Sequence, residues 1–524
     1  IYNYLELRTE LAQRGYPFRS RSDTEVILAA YREWGHDCVL RLNGMFAFAI
    51  WDARAQQLFC ARDHLGIKPF CYCFAGGRFQ FASEQKALLA GNSVPARANL
   101  EAVVDYLSFS YTPSTDTLFQ GIQKLAPGHS MVADRRGLQV QCFWNPDFGG
   151  AAPRNEESWA EELRELVRDA IRLQIRSDVP VGAHLSGGID SSTVCCFAAE
   201  LLPKLQTFTA KFEEGGLYDE SAFARMVVDR IHSDHHEVIP RRGNLPELLP
   251  KVLFQLDEPV EAASVFGKYH VAEIVSTQVK VVLGGQGGDE LFGGYDWYVK
   301  NLFTAMLFGY RPQAPSGWAL RFLWATMKEQ SAKRLVKSVW RNFGNNRLDH
   351  IFANNWNRAP GAADLLRAGA THGDNAEARF LAAFGALGES ELADRMFKFD
   401  MQHYLQALLT SEDRLSMAFS VESRVPLLDY RIAELAGRLG WRMKSDPGVS
   451  KRVLRQAAEG VVPAQILARR DKRGFPTPIG QWLRDPALNL MERFVYRDNA
   501  FAKEYFDLDR LRTRQAQYTL LTNA

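Results

Sequence analysis

Hydrophobic and polar positions change their rhythm once along the chain. From residue 1 to about 145, apolar residues fall in short alternating stretches broken by turn signals, as in MFAFAIWD, QQLFCARD and GRFQFASE. A period of two belongs to half-buried strands, so this part predicts a strand-rich domain. At GGAAPRNEES, residues 149 to 158, small residues and proline give way to charge, the texture of a linker, and the second domain is expected from near Trp159. Apolar runs then alternate with helical patterns: VPVGAHL (179 to 185), a helix from about Asp190, TFTAKF (207 to 212), and a helix near Asp219 to Ile231. HHEVIP (235 to 240), a helix near Leu245 to Gln255 and VKVVLGG (279 to 285) continue the series. The alternation predicts a doubly wound parallel sheet that binds ligands at the carboxyl ends of its strands. After Tyr295 the pattern is helical, with Phe397, Met401, Leu405 and Leu408 spaced to make one apolar face.

Length agrees with this division, since 524 residues exceed what one core usually organises. With 46% hydrophobic and 24% charged residues the composition is that of a soluble globular protein. The 63 basic and 61 acidic residues are well mixed and leave a net charge of +2, which gives no field for holding a polynucleotide or an anionic membrane. The stretch from Arg311 to Arg347 is rich in Lys, Arg, Trp and Phe; amphipathic helices with buried aromatics and solvated cations account for it more readily than a nucleic-acid surface. No apolar run approaches the ~18 residues of a membrane span, and no leader is visible, so a cytoplasmic protein is expected. Seven cysteines without a repeated CxxC pattern fit a reducing compartment, and Cys71 and Cys73 read as buried strand residues rather than metal ligands. The chain opens on Ile1 rather than Met and closes on YTLLTNA within a helical pattern, so a fragment at both ends is expected.

Two glycine-rich segments carry the candidate chemistry. The first runs Leu185-Ser186-Gly187-Gly188-Ile189-Asp190-Ser191-Ser192, between an apolar strand and a helix. Two glycines admit a phosphate close to the backbone, three hydroxyls add donors, and the helix start offers free N–H groups. It lacks the terminal lysine of a GxxxxGK(S/T) loop, and a plain helix cap is the bland alternative. The second, Gly284-Gly285-Gln286-Gly287-Gly288-Asp289-Glu290-Leu291-Phe292-Gly293-Gly294-Tyr295, again follows an apolar strand and sets two acids among glycines.

SGGIDSS resembles the pyrophosphate loop of N-type ATP pyrophosphatases, and LGGQGGDELFGGY resembles the matching motif of glutamine-dependent asparagine synthetases. In the expected order stand LDEP (Leu256 to Pro259), SEDRLSM (Ser411 to Met417), ESRVPLLD (Glu422 to Asp429), SKRVLR (Ser450 to Arg455) and KRGFPTP (Lys472 to Pro478). The resemblance implies that Leu185, Ala210, Gly284 and Gly285 contact adenine and ribose. It implies phosphate contacts from Ser186, Gly187, Gly188, Asp190, Ser191 and Ser192, and Mg²⁺ at Asp190 and Asp289. The catalytic set it implies is Lys451, Asp289, Gln286 and Glu290, with Lys451 stabilising charge on the phosphates. Arg424 and Asp429 stand equally well as support for the site or as internal salt bridges. One departure matters: many members of the family carry an acid where this chain has Gln286, and an amide cannot act as general base. Either a group such as Glu290 takes that role or the acceptor is not free aspartate.

The first domain resembles a class II glutamine amidotransferase through IYNYLELR, SDTEVIL (Ser22 to Leu28), RLNGMFAFAIWD (Arg41 to Asp52) and ARDHLGIKPFCY (Ala61 to Tyr72). The family's nucleophile, an N-terminal cysteine, has no counterpart here; Cys38 is internal and offers no free α-amino group. Asp23 is the expected contact to the glutamine α-amino group, and SDTE also reads as a helix cap.

The resulting expectation is an N-terminally truncated α+β, strand-rich, Ntn-hydrolase-like amidotransferase domain over residues 1–148. An α/β doubly wound ATP pyrophosphatase domain with a helical C-terminal part, truncated at its end, follows over residues 156–524. The implied reaction uses ATP, Mg²⁺, aspartate and glutamine or ammonia to give asparagine through β-aspartyl-AMP, this fragment managing at best the ammonia-dependent half. A homodimer is left open. Alternatives are amidation of another carboxylate, as in a sugar-polymer precursor or β-lactam or lasso-peptide closure, a non-catalytic homologue, and an ATP pyrophosphatase with a nucleobase or thiol acceptor. The glutaminase signature favours intermolecular amidation over ring closure.

Overall fold

A computed structural model describes the chain apart from residues 92–93, 150–153, 216–217, 261–263, 312–316, 323–338, 341, 343–347, 358, 360, 368–374, 389–390, 471–476, 498 and 524. Most of the Arg311–Arg347 stretch, most of KRGFPTP and the middle of the linker lie outside the described residues. In the first of these, Trp318 and Phe322 are buried and Arg321 is half exposed, whereas Trp340 is exposed, so the expectation of buried aromatics holds for only part of the stretch.

The alternating stretches fold into seven strands: β1 (Ala47–Asp52), β2 (Gln57–Arg62), β3 (Cys71–Ala75), β4 (Arg78–Ala82), β5 (Gln123–Lys124), β6 (His129–Asp134) and β7 (Gly137–Cys142). They form two antiparallel sheets, β1-β2-β6-β7 and β4-β3-β5. The period of two sorts their side chains. Phe59 and Ala61 of β2 join Val26, Ala30 and Cys38 beneath the helices Tyr4–Gln13 and Asp23–Trp34. Cys60, between them, turns the other way to meet Phe70, Leu125 and Met131. Cys71 and Cys73 are buried strand residues, and all seven cysteines are free thiols.

The second half supplies β8 (Val181–His184), β9 (Gln206–Ala210), β10 (Asp234–Val238), β11 (Val281–Leu283) and β12 (Glu422–Arg424), in the order β10-β9-β8-β11-β12. Every pairing is parallel. The connecting helices include Ile189–Ala199, Ser221–Ile231, Leu245–Leu256 and Val265–Ser276. Val281, Val282 and Leu283 are all buried, as a central parallel strand requires. The chain winds outward from β8 through β9 to β10 and then returns to β11 on the other side, so the order reverses between β8 and β11. A crevice at that switch point is where such sheets bind ligands.

One element departs from the expected helical C-terminal part. ESRVPLLD contributes β12, whose register sets Val281 opposite Glu422 and Leu283 opposite Arg424. Its end residues are charged, which hides a buried strand from any apolar pattern; Arg424 is nonetheless buried, donating to the carbonyls of Gln174 and Arg176 and to Glu422. Phe397, Met401, Leu405 and Leu408 are all buried, as expected. Phe397 sits on helix Leu392–Phe399, Leu405 and Leu408 on helix Leu405–Met417, and Met401 in the π turn over Asp400–Tyr404 that joins them.

Candidate active site

The two glycine-rich segments fold as the loops after β8 and β11 and pack against each other at the switch point. Leu185 donates its N–H to the carbonyl of Phe208 at 2.9 Å, which carries the sheet pairing to the edge of the first loop. Gly187 then takes φ +69°, and a Cβ there would lie 2.6 Å from the Cβ of Phe223, so the position excludes a side chain. Ser186 N–H donates to Ser191 Oγ at 3.1 Å and the two hydroxyls meet at 3.0 Å, tying the loop to the first turn of helix Ile189–Ala199. Ser192 Oγ is buried without a partner among the described residues. The loop therefore presents a helix start and hydroxyls around a concave turn, as an anion cradle needs.

Several glycines of the second loop serve close packing. A Cβ on Gly285 would come 2.6 Å from Ser191 N, and one on Gly288 would strike the Asp190 carboxylate. Asp190 is thereby wedged between the loops. Lys451, at φ +54° just before helix Arg452–Ala457, completes the junction: its ammonium bonds Asp190 Oδ2 and lies 2.8 Å from Asp289 Oδ1. Burial pulls the Lys451 pKa down, but the Asp190 and Asp289 charges outweigh it and hold the ammonium above its ordinary value. Two carboxylates from separate loops thus share one cation.

The other expected residues are placed as follows. Ala210 is buried at the end of β9, and Gly284 donates to Arg424 O at 2.7 Å, lengthening the β11–β12 pairing. Gln286 is half-buried in the turn before Gly287. Glu290 is 0% exposed; Tyr295 donates to its Oε1, while Oε2 has no partner. Burial first, then the Asp289 charge, pushes its pKa up to about 8. A group so enclosed offers no surface to a substrate, so its place is beneath the loop rather than facing the crevice. Asp23 lies apart from this junction, at the first position of helix Asp23–Trp34, with its Oδ2 2.6 Å from the backbone nitrogen of Ile1. The cap of that helix is Ser22, which accepts from Thr24 N–H at 3.1 Å.

Other motif residues prove to be seams between the domains. Asp257 accepts from Gln85 N–H at 2.7 Å and Lys86 at 2.9 Å, and Glu258 accepts from Leu118 N–H and from Lys124. Lys68 pairs with Asp413 at 2.7 Å, and Asn43 donates to Asp429 at 3.1 Å. Arg424 and Asp429 are thus internal bridges. A cavity of about 270 Å³ between the domains is lined by Arg62, His64, Lys124, Glu258, His403 and Gln406; none of the expected nucleotide residues faces it.

One supporting residue escaped the sequence reading. Arg469 donates to Gly187 O at 3.3 Å, pairs with Glu220 and lies 3.7 Å over the Phe223 ring, clamping the loop from outside. The run ARRDKRG held the only signal, a density of cations near the end of the domain. Among the described residues no group of three or more His, Cys, Asp or Glu is gathered to hold a metal, and no helix is long and apolar enough to cross a membrane.

Comparison with known proteins agrees with this two-part build. Residues 162–519 match the asparagine synthase family, and residues 1–144 match the glutamine amidotransferase domain. The glutamine-hydrolysing asparagine synthetase 1 of Bacillus subtilis is 32% identical over 495 residues, covering 93% of this chain and 76% of that one. Asparagine synthetase 3 of the same organism is 31% identical over 508 residues, covering 92% and 76%. Amidase chry2 of Gibberella zeae is 26% identical over 550 residues, covering 95% and 79%. With an antiparallel amidotransferase domain in front and a parallel ATP pyrophosphatase sheet behind, this chain belongs to the asparagine synthase family of glutamine-dependent ligases.

Proposed function

We propose that the chain converts aspartate to asparagine: ATP adenylates the side-chain carboxylate with release of pyrophosphate, and ammonia then displaces AMP. The observation that carries this reading is the Asp190–Lys451–Asp289 bridge, which joins the anion cradle after β8 to the acidic glycine loop after β11. An ammonium held between two carboxylates beside a cradle can turn to a phosphate once a nucleotide enters, so Lys451 is given the charge that builds on the leaving pyrophosphate. Ser186, Gly187, Gly188, Ser191 and Ser192 bind the phosphates, while Leu185, Ala210, Gly284 and Gly285 border the nucleoside. Asp190 and Asp289 suit Mg²⁺, because two carboxylates already close enough to share one cation form, with phosphate oxygens, the hard donor set that ion takes. Bound there, Mg²⁺ would neutralise phosphate charge. Glu290, hydrogen-bonded by Tyr295, lies buried beneath the loop. Asp23 is assigned to the α-amino group of glutamine, the source of ammonia, with the strand-rich domain doing the hydrolysis.

A second reading keeps the chemistry and changes the acceptor to another carboxylate. Gln286 favours it, since the acid that many relatives carry at this point is absent. Pyrophosphate release from ATP, Mg²⁺ and ammonia, compared with aspartate, with other carboxylates and with none, tests both. Release that requires aspartate, with asparagine formed in step, supports the first; release with another acid alone supports the second. ATP bound without release in any mixture would sink both.

A further inference from the structure

Amide formation leaves one proton to be placed. When ammonia displaces AMP, a C–N bond forms, the bond from the acyl carbon to the phosphate oxygen breaks, and the nitrogen must lose a proton. Gln286 cannot take it, and Glu290 is sealed from any substrate.

His184 is better placed. It ends β8, and its Nε2 lies 3.3 Å from Glu412 Oε1 on helix Leu405–Met417. A Cβ on Gly284 would lie 3.9 Å from the imidazole, so the ring borders the loop that carries Gly285 and Gln286. Glu412 is itself held: Ser423 donates to it at 2.9 Å, and Lys268, which also donates to Ser411 at 3.0 Å, stands 3.9 Å away. Burial raises the Glu412 pKa, but the hydrogen bonds from His184 and Ser423 and the charge of Lys268 act against it, so Glu412 is held as an anionic acceptor. With Nε2–H turned to Glu412, the Nδ1 lone pair is left to receive a proton. The His184 side chain keeps 23% exposure, whereas Glu290 keeps none.

The same helix faces the amidotransferase domain one residue further on. Asp413 takes Lys68 at 2.7 Å, and Gln406 reaches Leu65 O at 2.7 Å. The imidazole therefore stands between the domain assigned to release ammonia and the loop assigned to the acyl-adenylate.

We propose that His184, oriented by Glu412, accepts the proton lost by ammonia as it displaces AMP from the acyl-adenylate. This rests on the ligase reading above. Nδ1 takes the proton, AMP departs with the bonding pair on its phosphate oxygen, and Glu412 balances the imidazolium that forms.

Two half-reactions separate this role from a structural one. Exchange of labelled pyrophosphate into ATP, driven by the accepted carboxylate, reports adenylation alone; ammonia-dependent amide formation reports both steps. In the full chain, His184→Asn is expected to hold exchange within about threefold while amide formation falls about 10²-fold or more. Hydroxylamine, unprotonated at neutral pH and forming an adduct acidic enough to lose its proton to water, is expected to restore most of the lost rate as hydroxamate. Glu412→Gln, which removes the orienting charge, should show the same split at about tenfold. Amide formation left unchanged, or exchange and amide formation lost in parallel in both variants, would overturn the proposal. If the unaltered chain exchanges pyrophosphate with no carboxylate, the ligase reading fails, and the role of His184 with it.

Discussion

The switch point and the domain seam are built from the same materials and put them to different ends. At the switch point, Asp190, Asp289 and Lys451 meet beside glycine backbones, and the acids keep side-chain exposures of 16% and 31%. At the seam, Asp257 and Glu258 meet Lys86 and Lys124, and the acids keep 1% and 4%. Asp190 and Asp289, set beside glycine backbone at the carboxyl ends of strands, stay partly reachable although both bond Lys451. Charge at a helix end facing another domain is closed over by that domain. A motif acid therefore declares its work through the backbone next to it, more than through its own side chain.

The largest effect that tests this contrast belongs to Lys451. Lys451→Met is expected to lower pyrophosphate release about 10³-fold, since it removes a cation preorganised for the leaving group. Thermal unfolding should move little, because the two acids that lose this cation retain access to water. A large loss of stability with activity preserved in the folded fraction would place the bridge in the same class as the seam.

Asp257→Asn tests the other side. Asparagine keeps the side-chain shape and tolerates the left-handed backbone at this position, φ +63°, so the variant isolates the charge. Loss of a buried charged acceptor for Gln85 N–H and Lys86 should cost about 2 kcal/mol, read as a lower urea midpoint. Ammonia-dependent activity of the folded protein should stay within about twofold, a change of less than about 0.5 kcal/mol in barrier. Activity falling with stability unchanged would mean that the seam acid acts in the crevice.

What the sequence disclosed follows the same division. Period-two stretches and strand-helix alternation located β1, β2, β4 and β8 to β11, because burial of one face or of both leaves a periodic mark. SGGIDSS and GGQGGDE were legible because few structures other than a ligand cradle call for that glycine density. β12 was not, since Glu422 and Arg424 give it no apolar signal and its partner β11 lies some 140 residues earlier. LDEP and SEDRLSM were legible only as family-like segments, because sequence shows charge and not what closes over it. His184 and Arg469 were missed for a related reason: the pairing of His184 with Glu412, and of Arg469 with Gly187, exists only in three dimensions.

A smaller effect comes from a charge with neither a seam partner nor a role in the crevice. Lys444 is 0% exposed, its ammonium lies 4.5 Å over the rings of both Phe148 and Phe397, and no acceptor among the described residues reaches it. Burial lowers its pKa to about 8, with the Asp394 charge opposing. The folded state therefore holds the proton less tightly than the unfolded chain. Stability is reduced at pH values below about 8 and recovers as pH rises from there toward the ordinary lysine value. Lys444→Met should raise stability at pH 7 by roughly 2 kcal/mol and remove that rise between pH 8 and 10, as measured by urea unfolding across the range.

The smallest expected effect belongs to the residue that most separates this chain from the pattern it resembles. Gln286 is half-buried, and the turn around it is fixed by its neighbour Gly287, at φ +92° against Leu428, rather than by its own side chain. Gln286→Glu should therefore fold normally, although it brings a further carboxylate toward Asp289 and Glu290. If His184 already receives the proton, restoring an acid at 286 adds a second acceptor to a step that has one, and amide formation should change by less than about threefold. Pyrophosphate exchange should also hold, or fall slightly as like charges crowd the phosphate site. A rise in aspartate-dependent amide formation of more than about tenfold would return the proton acceptor to position 286. That outcome would leave the His184–Glu412 pair as a structural contact between the central strand β8 and helix Leu405–Met417.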